Sequence, residues 1–259
     1  MRKKWATFSA LSSLFAVLAL AGCGEPVQYP QIVDSARPAA STLPPQYRIA
    51  GSSAEGRPML YLVLGDGPDV TFILATIHGN EAAGTPLVRR LASQLQQDRQ
   101  LLTGRTVVIL PVANPDGMVY SKRYNAHGVD LNRNFIAANR RDDVNGGPDA
   151  LSEPEAHAIY QIIQQYHPDR IVSVHQPLTC IDYDGPGQQL ANRMAQYCDL
   201  PVKKLGAQPG SLGSYAGETL GIPIITFEMP ANASDLDANG LWAKYGKALL
   251  AAITYPNPP

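Results

Sequence analysis

A chain of 259 residues is long enough for one large α/β domain or two small ones, and 45% hydrophobic residues suffice for a substantial core. Charged residues make up 17% and the formal net charge is −1. That balance carries no nucleic-acid footprint, which would need a clustered basic face.

Arg2, Lys3 and Lys4 make a positive start, and residues 5–21 are mostly apolar, softened by Thr7, Ser9, Ser12 and Ser13. The run ends in Leu20-Ala21-Gly22-Cys23. A basic start, an apolar middle and a small-residue end describe a secretory signal over residues 1–22. An uncleaved membrane anchor would need about 20 apolar residues, and this run is shorter and carries hydroxyls. The ending also resembles the lipobox of bacterial lipoproteins, which implies a lipid on Cys23 and a place on the periplasmic side of a membrane. Gly24, rather than Asp, follows the Cys, which by the same resemblance points to the outer membrane. Residues 23–45 are rich in Pro, Ser, Ala and Gln without periodicity and read as a tether. The folded domain then occupies residues 46–259.

Strands and helices alternate through that domain. Apolar runs of strand length cover 59–64 and 70–77. Leu87, Val88, Leu91 and Leu95 have helical spacing and predict a helix over 87–97. A buried strand follows at 106–112. Ser152 with Glu155 three residues on forms a capping-box pattern, and the helix it opens runs through Ile159, Ile162 and Ile163 to Tyr166. Further strands are expected at 171–174 and 222–227, and further helices at 188–197 and 241–253. This alternation predicts an α/β fold: a single domain with a mixed, mainly parallel central sheet flanked by helices. Sites in such sheets lie beyond the carboxyl ends of the strands. Cys180 and Cys198 could pair in an oxidising compartment or stay as buried thiols, and both readings are open.

Three of these strands run into polar residues that a core would not choose. The 70–77 strand leads into His78-Gly79-Asn80-Glu81, the 171–174 strand into His175, and the 222–227 strand into Glu228. Zinc takes imidazole nitrogen and carboxylate oxygen, and a catalytic site keeps three protein ligands plus water. A His and a Glu three residues apart in a tight turn can face one ion, a second His from a neighbouring strand completes the set, and the remaining Glu is free to act as a base. Each piece alone is weak, since a lone His in a sheet is more often a satisfied core residue. Together they point to metal-assisted hydrolysis.

Other motifs accompany them: Asn114-Pro115-Asp116-Gly117, Gly128-Val129-Asp130-Leu131-Asn132-Arg133-Asn134-Phe135, and Ser152-Glu153-Pro154-Glu155. In order and spacing they resemble the zinc carboxypeptidase family over residues 47–255. Segments 172–182, 209–215 and 225–230 look most like its murein peptide amidase group, which cuts between γ-D-glutamate and meso-diaminopimelate. The resemblance implies one zinc held by His78, Glu81 and His175, with Glu228 as general base and acid and Arg123 on the oxyanion. It also implies that Asn132 and Arg133 grip a substrate carboxylate. Pancreatic-type members carry a mobile Tyr about two dozen residues before the catalytic Glu. Leu205-Gly206-Ala207 stand there instead, and Tyr215 is the nearest candidate, so that role is not carried over. Asp182 or Asp184, placed after His175, could meet the amine of diaminopimelate. His127, His157 and His167 read as surface residues, Asn114 and Asp116 as turn-shaping residues, and the long loop 125–151 as a rim of the site. The function expected is a zinc-dependent hydrolase acting on murein peptides. The alternatives are a general metallocarboxypeptidase removing C-terminal residues and a non-catalytic wall-peptide-binding lipoprotein.

Overall fold

Long runs of Val, Ile and Leu form strands buried on both faces, and four of them lie side by side in parallel at the centre of one sheet. The computed structural model describes residues 47–141 and 143–257. Its strands are β1 (Arg48–Ser52), β2 (Pro58–Gly65), β3 (Asp69–Ala75), β4 (Arg105–Leu110), β5 (Arg170–His175), β6 (Leu178–Asp184) and β7 (Ile224–Pro230). Their order across the sheet is β1-β2-β4-β3-β5-β7-β6. β4, β3, β5 and β7 run parallel, while β2 with β1 on one edge and β6 on the other join antiparallel. The mixed sheet with a parallel centre is the one expected. The signal segment, Cys23 and the tether lie outside the described residues.

Alternation of side chains sends successive residues of each strand to opposite faces, and the two faces build two cores. On one face α1 (Gly84–Gln97), α4 (Gln188–Ala195) and α5 (Ala238–Thr254) cover Ile73, Val107, Val172 and Ile225. Leu87, Val88, Leu91 and Leu95 are all buried there, which is the helical spacing put to use. On the other face α3 (Pro154–Tyr166) and a π-helical turn (Ser214–Thr219) cover Phe72, Val108, Ile171 and Ile224.

Two strands are additional to those expected, and three helices begin elsewhere: α1 and α5 each start three residues earlier, at Gly84 and Ala238, and α3 starts at Pro154. β1 and β6 have no counterpart in the expected pattern, and Asp182 and Asp184, expected just beyond the His175 strand, lie within β6. The β6 segment hides from a hydrophobicity reading because its sheet-facing residues include Cys180, Asp182 and Asp184, a polar row where strand patterns carry apolar side chains. The capping box does not form. α3 begins at Pro154, a residue whose fixed φ suits the first helical position, and its N-cap residue, Glu153, makes no side-chain cap. The Ser152 hydroxyl donates to Glu153 Oε1 instead. Glu155 accepts from Ala54 N and Asn125 Nδ2, tying α3 to the chain before β2. Cys180 and Cys198 are free thiols.

Leu87 is wholly buried between α1 and the sheet. Leu87→Ala should cost about 2–5 kcal/mol of stability, read as a lower urea midpoint with the slope of the transition unchanged.

Candidate active site

The carboxyl ends of β3, β5 and β7 bring four of the expected residues together. His78 and Glu81 come from the turn after β3, His175 ends β5, and Glu228 lies beside His175 in register on β7. His78 Nδ1 is 2.8 Å from Glu81 Oε1, and His175 Nδ1 is 2.9 Å from Glu81 Oε2. These three side chains are buried, and their donor atoms lie within 4.8 Å of one another. Two imidazole nitrogens and a carboxylate make a donor set suited to catalytic zinc.

The outer nitrogens are also fixed. His78 Nε2 lies 3.2 Å from Asp130 Oδ1, and His175 Nε2 lies 2.9 Å from the Ser173 hydroxyl. Each imidazole thus turns Nδ1 inward with its far side buttressed, the usual arrangement around a metal-ligating His. Burial pushes Glu81 up, but hydrogen bonds from His175 and His78 more than offset it and hold the carboxyl well below its ordinary range. Burial pulls His78 down, and its bonds to Asp130 and Glu81 more than reverse that, so the imidazole stays protonated above its ordinary value. A metal at this place must displace that proton.

Local backbone geometry shapes the ligand turn. Thr76 has φ 57°, a left-handed conformation rare for a β-branched residue. Its hydroxyl lies 2.8 Å from that of Thr85, and its carbonyl accepts from Asn114 N. A Cβ at Gly79 would lie 1.9 Å from the carbonyl carbon of Gly117, so the turn and the short helix α2 (Pro115–Val119) touch only because that side chain is missing. Asn114 joins them: Oδ1 accepts from Gly117 N, and Nδ2 donates to the carbonyls of Ile77 and Arg123. Gln176 ties the other side. Its Oε1 accepts from Ala83 N, and its Nε2 donates to Pro230 O, Ala231 O and the Ser234 hydroxyl.

Arg123 reaches the same centre. Nε and Nη2 donate to Asp130 Oδ2 at 3.0 and 2.9 Å, while Nη1 lies 3.4 Å from Glu81 Oε1. Asn132 and Arg133 follow Asp130 after one intervening residue, Leu131. Asn132 N donates to Asp130 Oδ1, Asn132 Oδ1 accepts from Leu212 N, and Arg133 Nη1 donates to Asn132 O. Glu228 is 6% exposed and accepts from Leu178 N at 3.2 Å. Burial raises its carboxyl above the ordinary range, against the pull of His175. Asp182 shares the face of Glu228, two residues along β6 from the Cys180 that sits opposite Glu228.

Several expected residues have other duties. Tyr215 is buried between Phe135 and Tyr160, with its hydroxyl accepting from Gln164, and belongs to the core. Asp116 is wholly buried and anchors the β1–β2 turn through Ser53 and Glu55 N. The imidazole of His127 is largely exposed but contacts the buried Glu153 carboxylate through Nδ1. Asp130, Ser173 and Gln176 were missed as site residues. Their signals were available: Asp130 sits two residues before Asn132, Ser173 shares a face with His175, and Gln176 follows His175.

Comparison with known proteins gives the same picture. The zinc carboxypeptidase profile matches residues 37–196. Murein peptide amidase A of Escherichia coli (strain K12) is 36% identical over 211 residues, 74% of this chain and 84% of that protein. Murein peptide amidase A of Vibrio campbellii is 31% identical over 210 residues, 72% and 80% of the two chains. The crystal structure of murein-tripeptide amidase MpaA from Escherichia coli O157 matches with a TM-score of 0.65 and 29% identity, covering 84% of this chain and 95% of that one. Carboxypeptidase A from Helicoverpa armigera shares the fold, with a TM-score of 0.69 at 22% identity over 82% of this chain and 69% of its own.

Asp130→Ala removes the buttress of His78 and the anchor of Arg123. Zinc affinity should fall by about 10–100-fold, read by competition with a chromogenic chelator.

Proposed function

The chain belongs to the zinc carboxypeptidase family, and we propose that it hydrolyses the γ-D-glutamyl–meso-diaminopimelate bond of cell-wall (murein) peptides. As a family member it is a metallopeptidase or amidase, and zinc is the family's metal. Support for the substrate comes from the likeness to the two murein peptide amidases, which spans most of their length. The observation that carries the reaction is the trio His78, Glu81 and His175 with Glu228 in register beside it.

His78 and His175 would hold zinc through Nδ1 and Glu81 through its carboxylate. Zinc, when bound, polarises the scissile carbonyl and makes water acidic enough to attack near neutral pH. Glu228 takes the proton of the attacking water and hands it to the leaving nitrogen. Its raised affinity for protons suits a group that must carry one between the two. Arg123, anchored on Asp130, donates to the oxyanion as its charge develops. The Arg133 guanidinium offers a fork to the substrate carboxylate, with the Asn132 amide beside it. Asp182 lies on the same face for the amine of diaminopimelate.

We propose further that the chain is an exported lipoprotein on the periplasmic side of the outer membrane. Residues 1–22 would be its signal, Cys23 its lipidated residue, 23–45 its tether and 46–259 its catalytic domain. The L-A-G-C ending supports this reading. Cells fed labelled palmitate should label the protein, and Cys23→Ala should abolish the label.

The deciding experiment is digestion of L-Ala-γ-D-Glu-meso-diaminopimelate, read by mass spectrometry. The zinc-loaded protein should release free diaminopimelate, and Glu228→Gln should reduce the rate by about 10²–10⁴-fold. Cleavage confined to α-linked peptides would make the protein a general metallocarboxypeptidase. Binding without cleavage would make it a wall-peptide-binding protein. Glu228 works as a base only when ionised, and its carboxyl is raised from 4.5. The kcat/KM profile should therefore fall on the acid side with a midpoint above the ordinary carboxylate value, the ionised and active form lying above that midpoint.

A further inference from the structure

The connection between β5 and β6 crosses the end of β7. In the sheet, β7 lies between those two strands, with His175 beside Glu228 on one side and Leu178 beside Pro230 on the other. Gln176 and Pro177 alone make the crossing. Two interstrand spacings, about 9–10 Å, leave a connector of two residues no slack. This short strap therefore fixes how far apart its ends stand.

Each end holds one carboxylate of the site through a backbone N–H. Gln176 N donates to Glu81 Oε2 at 3.1 Å, and Leu178 N donates to Glu228 Oε2 at 3.2 Å. Glu81 belongs to the ligand trio and Glu228 is the proposed base, so the strap spans from one to the other. Beyond Leu178 the chain turns through Thr179, whose φ of 54° is left-handed and whose hydroxyl donates to Pro177 O at 3.3 Å. A β-branched residue keeps that conformation only where its surroundings impose it.

The Gln176 side chain anchors the strap to the elements on either side. It is buried. Oε1 accepts from Ala83 N at 3.2 Å, two residues after Glu81. Nε2 shares its hydrogens among Pro230 O and Ala231 O, both at 3.3 Å, and the Ser234 hydroxyl at 3.1 Å. Pro230 stands two residues after Glu228. A primary amide carries an acceptor at one oxygen and two donors on its nitrogen, and both ends are in use here. An apolar chain of the same length would fill the space and make none of these bonds. None of the partners is a ligand atom or a reacting group, so Gln176 acts through the backbone that carries them.

We infer that Gln176 is a positioning residue, which clamps the 176–178 strap and thereby sets the separation of the Glu81 and Glu228 carboxylates. Proton transfer depends on that separation, since a base must lie within about 2.6–3.2 Å of the atom whose proton it takes. Misplacement by about 1 Å costs about 10²-fold in rate. The catalytic consequence rests on the function proposed above. The clamp is a property of the fold and is measurable without zinc or substrate.

Gln176→Met keeps the length and bulk of the side chain and removes its hydrogen bonds. The first measurement is amide hydrogen exchange on the metal-free full chain, read by NMR. The amides of Ala83 and Leu178 should exchange about tenfold faster or more, while Asn132 N, held by Asp130, should keep its wild-type rate. Faster exchange at Ala83 alone would overturn the clamp, because the side chain would then serve only its direct partner. The second measurement is steady-state kinetics of the zinc-loaded chain on L-Ala-γ-D-Glu-meso-diaminopimelate and on an α-linked peptide, using whichever the wild type cleaves. The variant's kcat should fall by about 10–100-fold with KM little changed. An unchanged kcat, a loss expressed in KM alone, or recovery of the wild-type rate at saturating zinc would overturn the role. Ser234→Ala removes one of the three acceptors and should move both readouts in the same direction by a smaller factor. It decides the matter if Gln176→Met does not fold, and wild-type values in both readouts would then overturn the role. Cleavage of the α-linked peptide alone would overturn the proposed linkage and leave the role of Gln176 standing on that peptide. Cleavage of neither would overturn the proposed reaction, with the exchange rate at Leu178 still deciding the clamp.

Discussion

Asp130 carries a buried negative charge that several functional groups share. One oxygen faces His78 Nε2 and accepts from Asn132 N, and the other accepts two hydrogen bonds from Arg123. Burial opposes the charge, but the His78 bond and the positive charges of His78, Arg123 and Arg133 keep the carboxyl well below its ordinary range. His78, Arg123 and Asn132, the residues proposed for metal binding, the oxyanion and the carboxylate grip, are thereby referred to one point. Charge-assisted bonds of this kind are short and directional, so the three groups keep a common geometry although they come from separate stretches of chain.

The sheet supplies the rest of the frame. Parallel neighbours β5 and β7 put His175 and Glu228 side by side without any loop between them. Glu81 spans from the β3 turn to the end of β5, accepting from Gln176 N as well as meeting His175. A site built on strand ends is more precisely held than one built on loops. The loop from Asn125 contributes Asp130 and is itself tied down through Asn134, which donates to Gly146 O, Asp149 O and the Ser152 hydroxyl.

Legibility in the sequence followed a physical divide. The central strands β3, β4, β5 and β7 and the amphipathic α1 were readable because their burial imposes a period on their residues. His78, Glu81, His175 and Glu228 were readable because each ends or follows such a strand with a residue that a core rejects. β6 was not readable, because Cys180, Asp182 and Asp184 occupy its inward face and break the apolar alternation. The capping box at Ser152 failed for a tertiary reason: Glu155 has better donors in Ala54 N and Asn125 than a local cap could offer. Asp130 looked like one residue of a motif, and its work became visible only when the fold brought residues 78 and 123 to it.

Thr76 holds an unfavourable left-handed backbone immediately before the ligand turn, a conformation that costs on the order of 1–3 kcal/mol. The contacts that sustain it, to Thr85 and Asn114, belong to neighbouring segments. The chain's local preference and its overall fold therefore disagree at this position, as they do at Thr179, two residues beyond the cis bond that follows Gln176. Drift in those neighbours would relax the turn while the cores on both faces of the sheet stayed closed. A sequence change at Thr85 or Asn114 would therefore be felt first at His78 and Glu81, the residues that this turn carries.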